Sequence, residues 1–158
     1  MLDEKTLLNL LRARAAEAGE REWENRLAQV RPEECHIAVM VEPFCSLVLS
    51  GQKTVESRFS KNRISPWHKV RDGDVVIVKK SGGCFTAVFE AAEVWFAQPP
   101  HDLERLKSYS KALCVDEAFW HGKAGCRYAT LMGISRLFVF QPFVLPFANR
   151  KGWLDFHG

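Results

Sequence analysis

The amino-acid sequence predicts an α+β fold: a small mixed β-barrel flanked by helices, with an N-terminal helical extension. Three observations lead to this prediction. Residues 3–31 carry apolar side chains at helical spacing and contain almost no strand-forming residues. From residue 36 onward, short apolar or alternating segments follow one another between turn residues. Within that part of the chain, residues 101–120 form the one stretch with a polar, helical pattern.

The N-terminal helices are predicted over residues 3–31, with an interruption at Gly19. Asp3 is a suitable N-cap for the first of them. Because the composition changes after this region, we divide the chain into a helical extension, residues 1–34, and a barrel domain, residues 35–158. The helices are expected to pack on the barrel. The alternative is an arm through which the protein binds a protein partner.

A short strand, a short helix and a second strand are predicted next. Residues 37–41 are apolar and form the first strand. Pro43 fits the first turn of a helix, and Gly51 stands where a left-handed residue ends one. Residues 54–59 then alternate between polar and apolar side chains, as expected of a strand with one buried face.

Strands alternate with turns over most of the remaining chain. The turn at residues 72–74 introduces the next strand. The later strands are expected at residues 75–78, 85–96 and 127–140, with a last segment after Pro146. The proline pair at 99–100 is expected to end the second of these strands. Residues 101–120 are helical in pattern, with Asp116 as the cap of a final short turn.

Composition argues against several classes of protein. The five cysteines are scattered and never form a C-x-x-C pair, which argues against a disulfide framework and a structural zinc site. His101, His121 and His157 lack the spacing of metal ligands, so neither a metal nor a cofactor is expected. The apolar stretch at residues 7–11 is too short for a signal peptide or a membrane span. We therefore expect a cytoplasmic protein without a membrane partner.

Charge is distributed unevenly, although the formal net charge is only +3. Residues 1–34 hold six basic and eight acidic residues. Residues 53–80 hold eight basic residues against three acidic ones. Such an excess favours a face that binds anions over a loop that is merely solvated.

Lys53, Glu56 and Arg58 form the most specific pattern in the chain. Glu56 and Arg58 are two residues apart on a predicted strand, so their side chains share one face and can pair. Lys53 precedes that strand at the turn and is expected to be the cation most free to meet a ligand. On an exposed edge the three residues would be an ordinary ion-pair cluster. In a cleft, however, their charges must pair with one another or meet a charged ligand.

The segment Gly51-x-Lys53-x-x-Glu56-x-Arg58 resembles the G-x-K-x-x-E-x-R motif of ASCH domains. The setting is similar too, since the motif follows a short helix that begins at a proline, here Pro43. Further similar landmarks are Pro66-Trp67, Gly73-Asp74, residues 75–78, residues 128–131 and Gly152-Trp153.

This resemblance covers roughly residues 36–153 and implies a PUA-like β-barrel with the motif residues in a helix-flanked cleft. RNA or a nucleotide-like ligand is the occupant it implies. It also implies an alternative, a hydrolase that uses Lys53 and Glu56 as catalytic residues. Some small bacterial members are amidohydrolases that act on acylated cytidine, and ribonuclease activity has been ascribed to others. The amidohydrolases have a nucleophilic threonine where this chain has Glu56, which favours binding over acyl transfer.

Basic residues and an aromatic ring surround the motif in the sequence. Cations bind phosphates and a flat ring stacks on a base, so this mixture is typical of proteins that bind single-stranded nucleic acid. The candidate ligand-binding residues are Lys53, Arg58, Lys61, Arg63, Trp67, Lys79 and Lys80. Trp67 has a competing interpretation as a structural plug of the barrel. Residues 81–83 are interpreted as a hairpin turn in preference to a phosphate site.

The sequence therefore favours an RNA- or nucleotide-binding module whose basic cleft contains Lys53, Glu56 and Arg58. A hydrolase acting on RNA or on an acylated cytidine-type nucleoside is the alternative. A third hypothesis is an adaptor that binds a protein partner through its N-terminal helices.

Overall fold

The computed structural model describes residues 2–147 and 151–157. Its helices are α1 (Glu4–Glu17), α2 (Arg21–Gln29), α3 (Phe44–Leu49), α4 (Pro99–Lys107), α5 (Ser110–Leu113) and α6 (Glu117–Gly122). Its strands are β1 (Cys35–Met40), β2 (Val55–Ser60), β3 (Val75–Lys80), β4 (Phe85–Ala97), β5 (Tyr128–Phe143) and β6 (Trp153–Asp155). None of the helices in the described ranges has the length and apolar character needed to cross a membrane.

The six strands form one curled sheet in the order β2-β5-β4-β3-β1-β6. β1 and β3 are parallel, and the other neighbouring strands are antiparallel. The sheet curls into a half-barrel with β2 and β6 as its two edges. Arg58 of β2 reaches across the opening and donates hydrogen bonds to the carbonyl oxygens of Val39 and Gly152. The predicted mixed β fold with flanking helices is confirmed.

Local signals in the sequence position several element ends. The Asp3 side chain accepts a hydrogen bond from the Thr6 N–H and caps α1. Gly51 follows α3 with a φ of +81°, a conformation that glycine adopts without steric cost. The proline pair at 99–100 does follow the end of β4 and also supplies the first turn of α4. Proline is well suited to that position because the first helical N–H groups have no intrahelical partner.

Helices α1 and α2 cover one face of the sheet. Leu7, Leu11, Trp23 and Leu27 are buried in a core cluster with side chains of β1, β3, β4 and β5. The Trp23 indole N–H also donates to the Arg136 carbonyl oxygen at 2.8 Å. The helices therefore pack on the barrel, as expected, and their apolar faces are used within the molecule.

The helical insertion between β4 and β5 packs beside β2. Leu106, Leu113 and Trp120 from α4, α5 and α6 form a core cluster with side chains of β4 and β5. Val55 and Phe59 of β2 pack against this cluster. This packing places Phe119 and Lys123 beside the free edge of β2.

Candidate functional site

A cleft of about 320 Å³ opens along the free edge of β2. β1 and β2 line its sides, while Phe44 at the start of α3 and Phe119 of α6 add aromatic walls. Lys53, Glu56 and Arg58 all line it. This volume lies at the lower end of the range of protein sites that hold small ligands.

The edge of β2 presents backbone groups to the cleft. In an antiparallel pair, the backbone groups of successive residues point alternately toward and away from the neighbouring strand. The Ser57 N–H donates to Oε1 of Glu56 at 2.8 Å and so lies on the outer side of β2. By the same alternation, the N–H and C=O of Phe59 point outward as well. The cleft therefore contains backbone hydrogen-bonding groups beside its charged side chains.

Lys53 is buried, with an exposed fraction of 3%. Its Nζ donates to the Leu113 carbonyl oxygen at 2.9 Å, lies 3.9 Å from Oε1 of Glu56, and stands 5.1 Å from the centre of the Phe44 ring. Burial lowers the pKa of Lys53, and the Glu56 charge opposes that shift. The expectation that Lys53 is the cation most free to meet a ligand is therefore wrong, because α5 supplies a carbonyl that holds the ammonium inside.

Glu56 and Arg58 form the ion pair that strand alternation predicts. A guanidinium nitrogen of Arg58 lies 3.3 Å from Oε2 of Glu56, which is itself buried. The same guanidinium donates to the Gly152 carbonyl oxygen at 2.8 Å and to the Val39 carbonyl oxygen at 3.0 Å. These contacts fix its orientation. A guanidinium has five N–H donors, so donors remain for a ligand in the cleft.

Lys79 lies in a depression next to the cleft. It is nearly buried, and its Nζ stands 5.3 Å from the centre of the Phe147 ring. This depression shares Val39, Val41 and Gly152 with the cleft, so the two are neighbours on the surface.

The remaining candidates from the sequence do not line the cleft. Lys61, Arg63 and Lys80 are exposed elsewhere on the surface. The Trp67 ring is half-buried and packs against three aromatic rings, those of His68, Phe96 and Tyr128. These contacts arise because the loop after β2 turns away from the strand edge and packs on β4 and β5. They correspond to the structural interpretation of Trp67.

Sequence reasoning missed Lys123, Phe44 and Phe119. The Lys123 Nζ lies 5.1 Å from the centre of the Phe119 ring and 5.5 Å from that of Phe59. It is half-buried and lines the cleft. No local pattern could have placed it there, because α6 is distant in sequence and reaches β2 only through the packing of the helical insertion.

A buried histidine joins the strands behind the cleft. The ring nitrogens of His36 lie 2.7 Å from carboxylate oxygens of Asp74 and Asp155. Asp155 also accepts hydrogen bonds from the Ser65 hydroxyl and the Trp153 indole. Burial opposes protonation of His36, but the hydrogen bonds to the two carboxylates outweigh it and raise its pKa. Burial alone would raise the pKa of Asp155. The hydrogen bonds that this carboxylate accepts, above all the one with His36, outweigh burial and lower its pKa.

This network holds β6 in place, and the residue before β6, Gly152, contacts Arg58.

Within residues 2–147 and 151–157, no group of His, Cys, Asp and Glu is arranged to hold a metal ion.

The half-barrel and its motif-lined cleft define a PUA-like domain. The chain belongs to the ASCH family, since the family model described as ASCH domain matches residues 39–130. The matched region contains the motif, the helical insertion and the first residues of β5, and it leaves α1, α2 and β6 outside.

Solved ASCH structures from Zymomonas mobilis share this fold. One superposes with a TM-score of 0.64 at 14% sequence identity, over 79% of this chain and 89% of that chain. A serine-to-alanine mutant of that protein gives a TM-score of 0.64, and a tyrosine-to-phenylalanine mutant gives 0.62, both at 14% identity. These two matches cover 81% and 78% of this chain and 92% and 91% of the respective mutant chains. At this identity the likeness concerns the fold alone. No curated protein sequence matches the chain.

Proposed function

We propose that this ASCH domain binds single-stranded RNA or a nucleotide-like ligand in the cleft along β2. The observation that carries the proposal is the joint presence of three cations, Lys53, Arg58 and Lys123, and the rings of Phe44 and Phe119 around one cavity. Cations bind phosphate groups, and aromatic faces stack on bases irrespective of sequence. Membership of the ASCH family supports the same class of ligand.

The three cations have different roles in this proposal. Lys53 is buried beside Glu56 and sets the charge at the base of the cleft. Arg58 is oriented by backbone carbonyls and offers its remaining donors to a phosphate or a base edge. Lys123 is half-buried, unlike the buried Lys53, and lies beside two aromatic rings, where it is placed to contact a phosphate.

Fluorescence anisotropy with a labelled hexaribonucleotide tests the proposal. Affinity should fall steeply with salt, because cation–phosphate contacts release counterions. Lys123→Ala should weaken binding roughly ten-fold. It should also reduce the slope of log affinity against log salt concentration by about 0.7. Lys61→Ala removes an equal charge outside the cleft and serves as the matched control. An equal loss in both variants would place binding on the basic loop instead of the cleft, and absent or salt-insensitive binding would refute the proposal.

One observation favours a second candidate, hydrolysis of RNA or of an acylated cytidine-type nucleoside. Burial lowers the pKa of Lys53, and a lysine of this kind beside a carboxylate is suited to proton transfer. Against it, both carboxylate oxygens of Glu56 already accept hydrogen bonds, from Ser57 and Arg58. Mass spectrometry after incubation with RNA or acetylated cytidine would show whether the protein hydrolyses either compound. Turnover that Glu56→Gln abolishes supports the hydrolase, and intact substrates exclude it for both compounds.

A further inference from the structure

A second pocket, of about 460 Å³, adjoins the cleft on the side of the helical insertion. We name it the α4–α6 pocket, since it is lined by Leu103 and Lys107 of α4, by Trp120 of α6, and by the residues next to them. Phe59 and Lys123 line both the cleft and this pocket. The two cavities are therefore neighbours that share a wall, formed by the Phe59 ring and the Lys123 ammonium above it.

The lining of the α4–α6 pocket combines an apolar floor with a basic rim. Phe59, Trp120 and the prolines at 99–100 supply flat apolar surface, and Leu103 is exposed at 39%. Lys107 and Lys123 stand at the rim. Among the described residues, no aspartate or glutamate lines the pocket. Lys107 pairs at 3.7 Å with Glu117, whose side chain is 74% exposed. Because an exposed ion pair contributes little free energy, another anion can readily replace Glu117 as the partner of Lys107.

We propose that the α4–α6 pocket binds a second nucleobase of a single-stranded RNA whose adjacent nucleotide occupies the cleft. This inference rests on the function proposed above and extends it, because it makes an oligonucleotide, rather than a free nucleotide, the preferred ligand. The adjacency of the pocket to the cleft, its apolar floor and its cationic rim carry the assignment. A base splayed out of a single strand can enter an apolar pocket, whereas a base paired in a duplex cannot.

Lys123 gains a specific role in this arrangement. It stands where the cleft and the pocket meet, so the phosphate that joins the two nucleotides would lie against its ammonium group. Lys107 would contact the next phosphate along the strand. An apolar peptide segment would fit the floor of the pocket but leave the positive rim without a partner.

The test compares short and long ligands at low salt. Isothermal titration calorimetry would measure the 5′-monophosphates of adenosine, cytidine and uridine, and the homopolymeric hexaribonucleotides of the same nucleosides. The hexaribonucleotides should bind at least ten-fold more tightly, because stacking of one further base contributes about that much. Leu103→Ser and Lys107→Glu should each remove most of this gain and leave monophosphate affinity unchanged. Leu103 and Lys107 are partly exposed, so both variants are expected to fold.

Two controls separate this inference from the function on which it rests. Lys5→Glu makes the same charge change as Lys107→Glu on α1, across the sheet, and should leave both affinities unchanged. Phe44 lines the cleft but not the α4–α6 pocket, so Phe44→Ala should weaken both ligand classes. If Phe44→Ala acts on both while the α4–α6 variants act on neither, the cleft function stands and the second site is refuted. Equal affinity for monophosphates and hexaribonucleotides also refutes it. If no ribonucleotide binds, both proposals fail.

Discussion

Arg58 joins segments of the chain that the sequence keeps far apart. Its guanidinium contacts the Val39 carbonyl at the end of β1, the Gly152 carbonyl before β6 and the Glu56 carboxylate on its own strand. It also lies 5.6 Å from the centre of the Trp153 ring. A single side chain thus spans the opening of the half-barrel and forms part of the cleft wall, which links the stability of the fold to the shape of the site.

We expect Arg58→Ala to lower the free energy of unfolding by about 3 kcal/mol, because it leaves a buried carboxylate with Lys53 as its remaining cation. Urea denaturation measures the loss. Arg63→Ala is the matched control, since Arg63 is exposed and its side chain contacts the surface residue Tyr128. That variant should lose less than about 1 kcal/mol. Equal losses in the two variants would mean that Arg58 does not hold the edges together.

Strand alternation was sufficient to predict the Glu56–Arg58 pair, because residues two apart on a strand lie on the same face whatever the rest of the chain does. It was insufficient for Lys53, whose side chain is held by the Leu113 carbonyl from an element 60 residues later in the chain. The same limit applies to Lys123. Both cations owe their positions to the packing of the helical insertion, and no local pattern encodes that packing.

The short edge strand β6 depends on the His36 network. This strand has three residues, pairs with β1 and forms an edge of the sheet. His36 and Asp155 lie opposite each other in the β1–β6 pair, and Asp74 adds a carboxylate from the turn before β3. The side-chain network therefore compensates for the few backbone hydrogen bonds that so short a strand can make. The sequence does not reveal it, because its members are dispersed along the chain.

The network makes stability depend on pH in a defined direction. The pKa of His36 is raised above its ordinary value of 6.5, so its contribution is fully present below pH 6.5 and is lost as pH rises through the raised value. The pKa of Asp155 is lowered below 3.8, so its contribution is present above pH 3.8 and is lost as pH falls through the lowered value. The network should therefore stabilise the fold most between pH 3.8 and 6.5.

Urea denaturation between pH 4 and 9 measures this dependence. Asp155→Asn should flatten the decrease in stability above pH 6.5, because the neutral amide no longer favours the protonated imidazole. His101→Gln replaces an exposed histidine of α4 and should keep the decrease intact. A pH profile that Asp155→Asn leaves unchanged would contradict the assignment to His36.

The N-terminal helices share a hydrophobic core with the barrel. Leu7, Leu11 and Trp23 are buried against Phe85, Phe138 and other side chains on one face of the sheet. The ASCH family match begins at residue 39, after these helices. Helical spacing predicted helices up to residue 31, close to the end of α2 at Gln29, but composition cannot show whether an apolar helix face is covered by the same chain or by a partner.

Deleting residues 1–31 should therefore expose an apolar sheet face and yield an insoluble or non-cooperatively unfolding protein. Paired point variants avoid the ambiguity of a large deletion. Leu11→Ala should lower the free energy of unfolding by about 2–5 kcal/mol, as for other buried leucines. Arg12→Ala, on the exposed side of α1, should change it by less than about 0.5 kcal/mol. A truncated protein that melts like the full chain would show that the helices are dispensable.

The contact between Glu56 and the Ser57 N–H has a consequence for self-association. A strand at the edge of a sheet is a template on which a second chain can add a strand, and natural proteins protect such edges with charged side chains. β2 is an edge strand, yet its Ser57 N–H is already occupied by a carboxylate of the same strand. A second copy of the chain that pairs with β2 at Ser57 would have to displace the Glu56 carboxylate from that N–H. We therefore expect the carboxylate that lines the cleft to disfavour strand addition at this part of the edge.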